Sequence, residues 1–139
     1  MVTRREGACH CGGVRFAVDM PEQPTPHLCN CSMCAMKAKV AIDVPMEALT
    51  VLAGDDLLSC YSFNTGVAQH WFCRNCGIHV FQKLRSDPSK YGVNGQCFEG
   101  LGRYDFTSLP VHDSANAHPK DTGLPTQVAG MVRFEPAPD

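Results

Sequence analysis

The chain has 139 residues, of which 44% are hydrophobic and 19% charged, with a formal net charge of −2. That length suits one domain with a real core, and that balance suits a globular protein in water. No apolar run reaches membrane-spanning length and no Lys/Arg cluster offers a face for phosphates, so neither a membrane span nor nucleic-acid binding is expected.

Nine cysteines dominate the composition. No apolar leader follows Met1-Val2-Thr3-Arg4-Arg5, so a cytoplasmic, reducing location is expected. There, clustered thiols serve metals more often than disulfides, and an odd count leaves a disulfide framework incomplete.

Gly7-Ala8-Cys9-His10-Cys11-Gly12-Gly13 opens with a C-x-C pair on an extended lead-in. Val14, Phe16 and Val18 then alternate with Arg15, Ala17 and Asp19, which predicts a half-buried strand. Met20 to Pro26 is broken by prolines and reads as a connection. Next comes Cys29-Asn30-Cys31-Ser32-Met33-Cys34, three thiols within six residues. On extended backbone Cys29 and Cys31 point the same way, and a tight turn through Ser32-Met33 brings Cys34 back to them. The result is a three-sulfur claw, one ligand short of a closed tetrahedral zinc site.

Val40, Ile42 and Val44 predict a second strand, followed by a short turn at Met46–Leu49 and an extended Thr50-Val51-Leu52. Leu58, Cys60, Tyr61 and Phe63 form another β-prone run, closed by Asn64-Thr65-Gly66. Gln69-His70-Trp71-Phe72 leads into Cys73-Arg74-Asn75-Cys76-Gly77, a C-x-x-C-G knuckle whose amides can turn towards the sulfurs. Ile78, Val80 and Phe81, and then Tyr91 to Phe98 with Cys97, continue the β pattern. After Gly100 the signal fades. Asp105–Asp113 reads as turns or edge pieces, Gly130–Phe134 as a last strand and Glu135–Asp139 as a frayed end. Nothing in this tail points to function.

The economical partition closes one four-sulfur site from Cys9, Cys11, Cys73 and Cys76 and leaves Cys29, Cys31 and Cys34 open. A metal joining Cys11 to Cys73 crosslinks a loop of roughly 60 residues, worth about 4 kcal/mol of unfolded-state freedom. The competing partition pairs Cys73 and Cys76 with two of the central thiols and strands Cys9 and Cys11. Two zinc–thiolate sites would take the formal charge of −2 to about −5, a poorer surface still for nucleic acid. The triplet could instead be a purely structural zinc capped by His27, His70, Cys60 or Cys97, or an iron–sulfur or redox centre. Cys60, inside an apolar run, reads as a core residue, and Cys97 as nearer the open site. His10 and His79 are expected to pack around the metals, and Trp71 and Phe72 to be core.

Gly7 to Cys11, the Cys29/Cys31/Cys34 triplet and Gln69 to Gly77 together resemble the glutathione-dependent formaldehyde-activating enzyme family. Tyr61-Ser62-Phe63-Asn64-Thr65 and Arg85-Ser86-Asp87-Pro88 resemble its centromere-protein-V-like branch. The likeness is strongest over residues 7–98 of a single domain spanning 1–139. It implies a mainly β, Mss4-like fold of antiparallel sheets, with a structural zinc on the first and third cysteine groups. It also implies a second zinc on the triplet, where a thiol such as glutathione binds, and a carbon–sulfur lyase acting on thiol–aldehyde adducts. Ala35-Met36-Lys37 departs from the family pattern, in which a basic residue often follows the triplet directly.

The chemistry expected of an open three-thiolate zinc is narrow. It can hold an incoming thiol as thiolate, ready to add to an aldehyde carbon or to leave one. With three thiolates already donating, thiol exchange suits it better than water activation. His27 and His70 are candidate bases. The alternative from the same sequence is a non-catalytic zinc-stabilised module that binds a protein partner. The sequence carries no sign of oligomeric state.

Overall fold

The computed structural model describes residues 1–139. Eleven strands and two short helices follow one another: β1 (Val2–Ala8), β2 (Arg15–Pro21), β3 (Leu28–Cys29), α1 (Ser32–Lys37), β4 (Ala41–Pro45), β5 (Leu49–Ala53), β6 (Leu58–Tyr61), β7 (Gln69–Cys73), β8 (His79–Lys83), β9 (Lys90–Asn94), β10 (Ser108–His112), α2 (Pro119–Thr122) and β11 (Val128–Arg133). They form a five-stranded sheet, β4-β9-β8-β7-β6, and two three-stranded sheets, β1-β2-β5 and β11-β10-β3. Every pairing is antiparallel except β10 with β3. The fold is mainly β, as expected.

The five-stranded sheet explains where the chemistry lies. Directly paired residues share a face, and successive rows alternate faces. One row runs Ile42–Val93–Phe81–Trp71 and is apolar. It packs against Phe16, Val18 and Met20 of β2 to make the main core. The next row runs Asp43–Gly92–Gln82–His70 and is polar. It faces the other way, towards α1 and the cysteine triplet, and becomes the floor of a cavity.

Four sequence expectations change. Residues 2–8, of which only Gly7 and Ala8 belong to the expected lead-in, form β1 and pair along their whole length with β2. Apolar alternation is absent there because β1 borrows its order from backbone bonds to a strongly apolar neighbour. The turn after Cys31 is the first turn of α1: Cys31 is its N-cap, and the Cys34 amide donates to Cys31 Sγ at 3.3 Å. A thiol is a weak acceptor in that position, so ordinary capping residues gave no signal. Cys60 is exposed, because β6 is the edge strand of its sheet. The tail is built into the fold: β10 lies beside β3, pairing Val111 with Leu28 and His112 with Cys29, and β11 pairs with β10.

Candidate metal centres

Cys9 follows β1, Cys11 closes the turn into β2, Cys73 ends β7 and Cys76 sits in the knuckle before β8. Gly77, at φ 77°, lets the knuckle fold back so that its amide donates to the Cys73 carbonyl at 2.7 Å. The four Sγ atoms lie within 4.8 Å of one another. Cys9 and Cys11 sulfurs are 3.6 Å apart, and Cys11 and Cys73 sulfurs 3.8 Å. A tetrahedron with Zn–S bonds of about 2.3 Å has edges of about 3.8 Å, so the spacing fits zinc and is far too long for disulfides. Backbone amides of Val14 and Gly13 donate to Cys9 and Cys11 sulfurs at 3.3 and 3.4 Å. Burial pushes the Cys9 thiol up to about 11, whereas the Asn75 side chain and the Gly13 amide hold Cys11 down at about 6.

The triplet is assembled differently. Cys29 ends β3, Cys31 caps α1 and Cys34 lies on that helix's buried side. Their three Sγ atoms also lie within 4.8 Å of one another. The tail fastens the claw through Asn30. Its side-chain oxygen accepts from the Ser114 and Ala115 amides, both at 2.9 Å, and its amide nitrogen donates to Asp113 at 3.1 Å. Cys29 and Cys31 push Cys34 far below the ordinary thiol range, and Lys39 and Lys37 add to the effect. Cys31 and Cys34 push Cys29 far above it. Three thiols this close oppose one another's ionisation, and a divalent ion would let all three sulfurs ionise.

No fourth His, Cys, Asp or Glu joins this group. His27 stacks on His112 with ring centroids 3.7 Å apart, and its Nε2 is 3.9 Å from Asp43. His70 is tied to Lys37. Cys60 is exposed, and Cys97 Sγ donates to the His79 carbonyl at 3.7 Å. Cys97 opens on a second cavity of about 690 Å³ with Phe72 and His79, not on the one beside the triplet. In place of a fourth ligand, the three sulfurs face a cavity of about 230 Å³ whose lining includes His27, Lys39, Asp43, His70, Gln82 and His112.

Lys37 lines the second cavity, and His70, which it binds, lines both. Its ammonium reaches His70 Nδ1 at 2.7 Å, His79 Nδ1 at 3.1 Å and Gln82 Oε1 at 3.3 Å. Three donors thus meet three acceptors, since burial keeps both imidazoles neutral: His70 is lowered to about 4, and His79 lower still. Burial also lowers Lys37 to about 7. With Nδ1 accepting, the neutral His70 ring carries its proton on Nε2, which is buried and has no partner. Sequence reasoning missed Lys37, Lys39, Gln82, Asn30 and His112. Lys37 alone left a trace, three residues after Cys34 on the same helical face.

The family model described as glutathione-dependent formaldehyde-activating enzyme matches residues 4–109, which hold all seven clustered cysteines. The chain belongs to that family. A relative bearing the same family name, from Phaeosphaeria nodorum, is 29% identical over 112 residues, covering 76% of this chain and 52% of its own. Another, from Halomonas elongata, is 35% identical over 79 residues, covering 51% of this chain and 50% of its own. The chain spans about half the length of these curated relatives. A crystal structure of a Rhodobacter sphaeroides protein is 36% identical with a TM-score of 0.72, covering 76% of this chain and 98% of that one. Both cysteine groups therefore fall inside the family match, while His112 to Ser114 fall beyond it.

Proposed function

We propose that this single domain binds two zinc ions, one structural on Cys9, Cys11, Cys73 and Cys76 and one on Cys29, Cys31 and Cys34 with a position left for a thiol. On this reading it is a cytoplasmic carbon–sulfur lyase that acts on thiol–aldehyde adducts such as S-hydroxymethylglutathione. The observation that carries the reading is the asymmetry of the two groups. Four sulfurs complete a tetrahedron, whereas three end in a cavity and the four residues that could have capped them are occupied or elsewhere. A capped, purely structural site or a partner-binding module accounts less well for that cavity.

Zinc, when bound, supplies a position at which a substrate sulfur is held as thiolate. The chain's own residues shape the rest. In the forward sense a C–S bond forms between that sulfur and the aldehyde carbon, and a proton reaches the former carbonyl oxygen; lysis is the reverse. His70 lines the cavity and Lys37 holds its ring through Nδ1, so we assign that proton to a relay: a bound adduct would have to uncover the buried Nε2, the proton given there would be replaced at Nδ1 from the Lys37 ammonium, and lysis would run both transfers in reverse. Phe63, Asn64, Thr65, Arg85 and Ser86 also line it. These belong to the two stretches that resemble the centromere-protein-V-like branch, which supports placing the chain there. Native mass spectrometry with elemental analysis, with and without glutathione, tests the reading. Two zinc ions and one glutathione per chain are expected; one zinc, or iron, would refute the partition.

A further inference from the structure

We infer that Lys39 recognises a carboxylate on the substrate thiol, so that the cavity selects acidic thiols over neutral ones of similar size. This inference rests on the thiol reading above and adds to it the charge of the ligand.

Lys39 is only 2% exposed, yet it lines the cavity beside the three sulfurs. Burying an ammonium without a partner is costly, so such groups are ordinarily paired. Arg85 pairs with Asp121, and His27, which burial keeps neutral, lies 3.9 Å from Asp43; neither contact includes Lys39. Its ammonium is also not among the buried atoms sealed from solvent without a partner, so it reaches the cavity.

The neighbouring groups are committed elsewhere. Arg85, which also lines the cavity, is held by Asp121 at 2.7 Å. Lys37 has all three donors satisfied. Asp43, by contrast, shares the cavity floor with Lys39: burial raises its carboxyl and Lys39 partly offsets that, but the two head groups make no ion pair. Lys39 thus feels Asp43 and Cys34 without an ion pair or hydrogen bond to either, and its ammonium can make its direct contact with a ligand.

The sheet leaves room for that ligand. Gly92 sits between Asp43 and Gln82 in the polar row. A Cβ there would lie 3.3 Å from Lys39 Nζ and 3.5 Å from Asp43 Oδ1, so both head groups lie against the bare Gly92 backbone on the cavity floor. A thiol that brings a carboxylate would have its sulfur at the triplet and its charge at Lys39, a charge-assisted contact in a confined site.

Calorimetry on the zinc-loaded protein tests this with glutathione and its diethyl ester, which keeps the thiol and the amine but has no carboxylate. Wild type should bind glutathione about tenfold or more tightly than the diester. Lys39→Met should lose that preference, bind the diester as wild type does and retain both zinc ions. Lys39→Gln serves as a second variant should the methionine form fold poorly. Equal binding of the two compounds by wild type would overturn the Lys39 assignment alone. Loss of the second zinc in the Lys39 variants would overturn it too, making the lysine a counter-charge for the metal. Failure of wild type to bind either compound would overturn the thiol reading, and this inference with it.

Discussion

The two cysteine groups should respond very differently to the loss of one sulfur. Cys11 and Cys73 are 62 positions apart, and linking them through a metal removes about 4 kcal/mol of unfolded-state freedom. The triplet closes only a handful of residues, for which the same relation gives about 2 kcal/mol. Backbone pairing of β3 with β10 and the three hydrogen bonds at Asn30 already hold that segment. Cys73 is also fully buried and part of the main core, so a serine hydroxyl there loses a ligand and gains an unsatisfied polar group. Domains of this size are stable by about 5–15 kcal/mol, so Cys73→Ser should remove a large part of the total. At about 2–8 °C per kcal/mol, its melting temperature should fall by 10 °C or more, or soluble protein should vanish. Cys31→Ser should stay folded with a much smaller shift and lose one zinc. Differential scanning fluorimetry and elemental analysis on the two variants decide the matter. Equal drops in melting temperature would mean that both sites are structural, and the open-site reasoning would fail.

Glutathione should bind the zinc-loaded protein more tightly as pH rises towards the thiol's own pKa, whereas S-methylglutathione, with no ionisable thiol, should bind far worse; calorimetric titration at several pH values checks this. Burial holds His27 at about 3 against an ordinary 6.5, so the unfolded chain takes up a proton that the folded one refuses. Its contribution is therefore present above about pH 6.5 and lost as pH falls towards 3, by up to about 2 kcal/mol at pH 5. Urea midpoints of wild type and His27→Gln at pH 7 and pH 5 should show a shallower acid loss in the variant. His70→Gln should keep both metals and the fold but slow adduct turnover; an unchanged rate would remove His70 from the proton step. Asn30→Ala should weaken zinc at the triplet by about 10- to 100-fold, the usual effect of losing a group that orients ligands, with little change at the four-sulfur site; competition with a chelator measures it.

The grouping of the sulfurs was legible in the sequence because most of its signals are local. C-x-C, C-x-C-x-x-C and C-x-x-C-G place sulfurs on adjacent backbone, and the Cys9–Cys11 spacing follows from that, whereas bringing Cys73 to Cys11 takes the fold. The strands at β2, β4 and β8 were readable from Phe16, Val18, Ile42, Val44, Val80 and Phe81, which are buried in the core. The cavity was not readable, since its polar row draws Asp43, Gln82 and His70 from three strands and acquires meaning only through sheet register. A one-residue slip in any of those strands would have turned the row into the core. Cys60 shows the converse failure: an apolar setting in sequence did not make a buried position on an edge strand.

The tail gives the site a second layer that the family match does not cover. The match ends at residue 109, yet the β10 residues that lie beside the claw, Val111 and His112, come after it. His112 pairs with Cys29 in the backbone and stacks on His27 in the cavity wall, and Ser114 and Ala115 bind Asn30 between two of the three sulfurs. His118, Pro119 and Thr126 contribute further lining. The cysteine frame and the wall around it are therefore encoded in different stretches of chain. Changes after residue 109 can reshape what the cavity admits without touching a cysteine, whereas changes before it put the metals at risk. A chimera carrying a relative's residues from 110 onwards should accordingly keep two zinc ions while altering its preference among thiols. If such an exchange stripped the second zinc but left thiol preference among the loaded fraction unchanged, the tail would be a clamp on the claw and not a wall of the cavity.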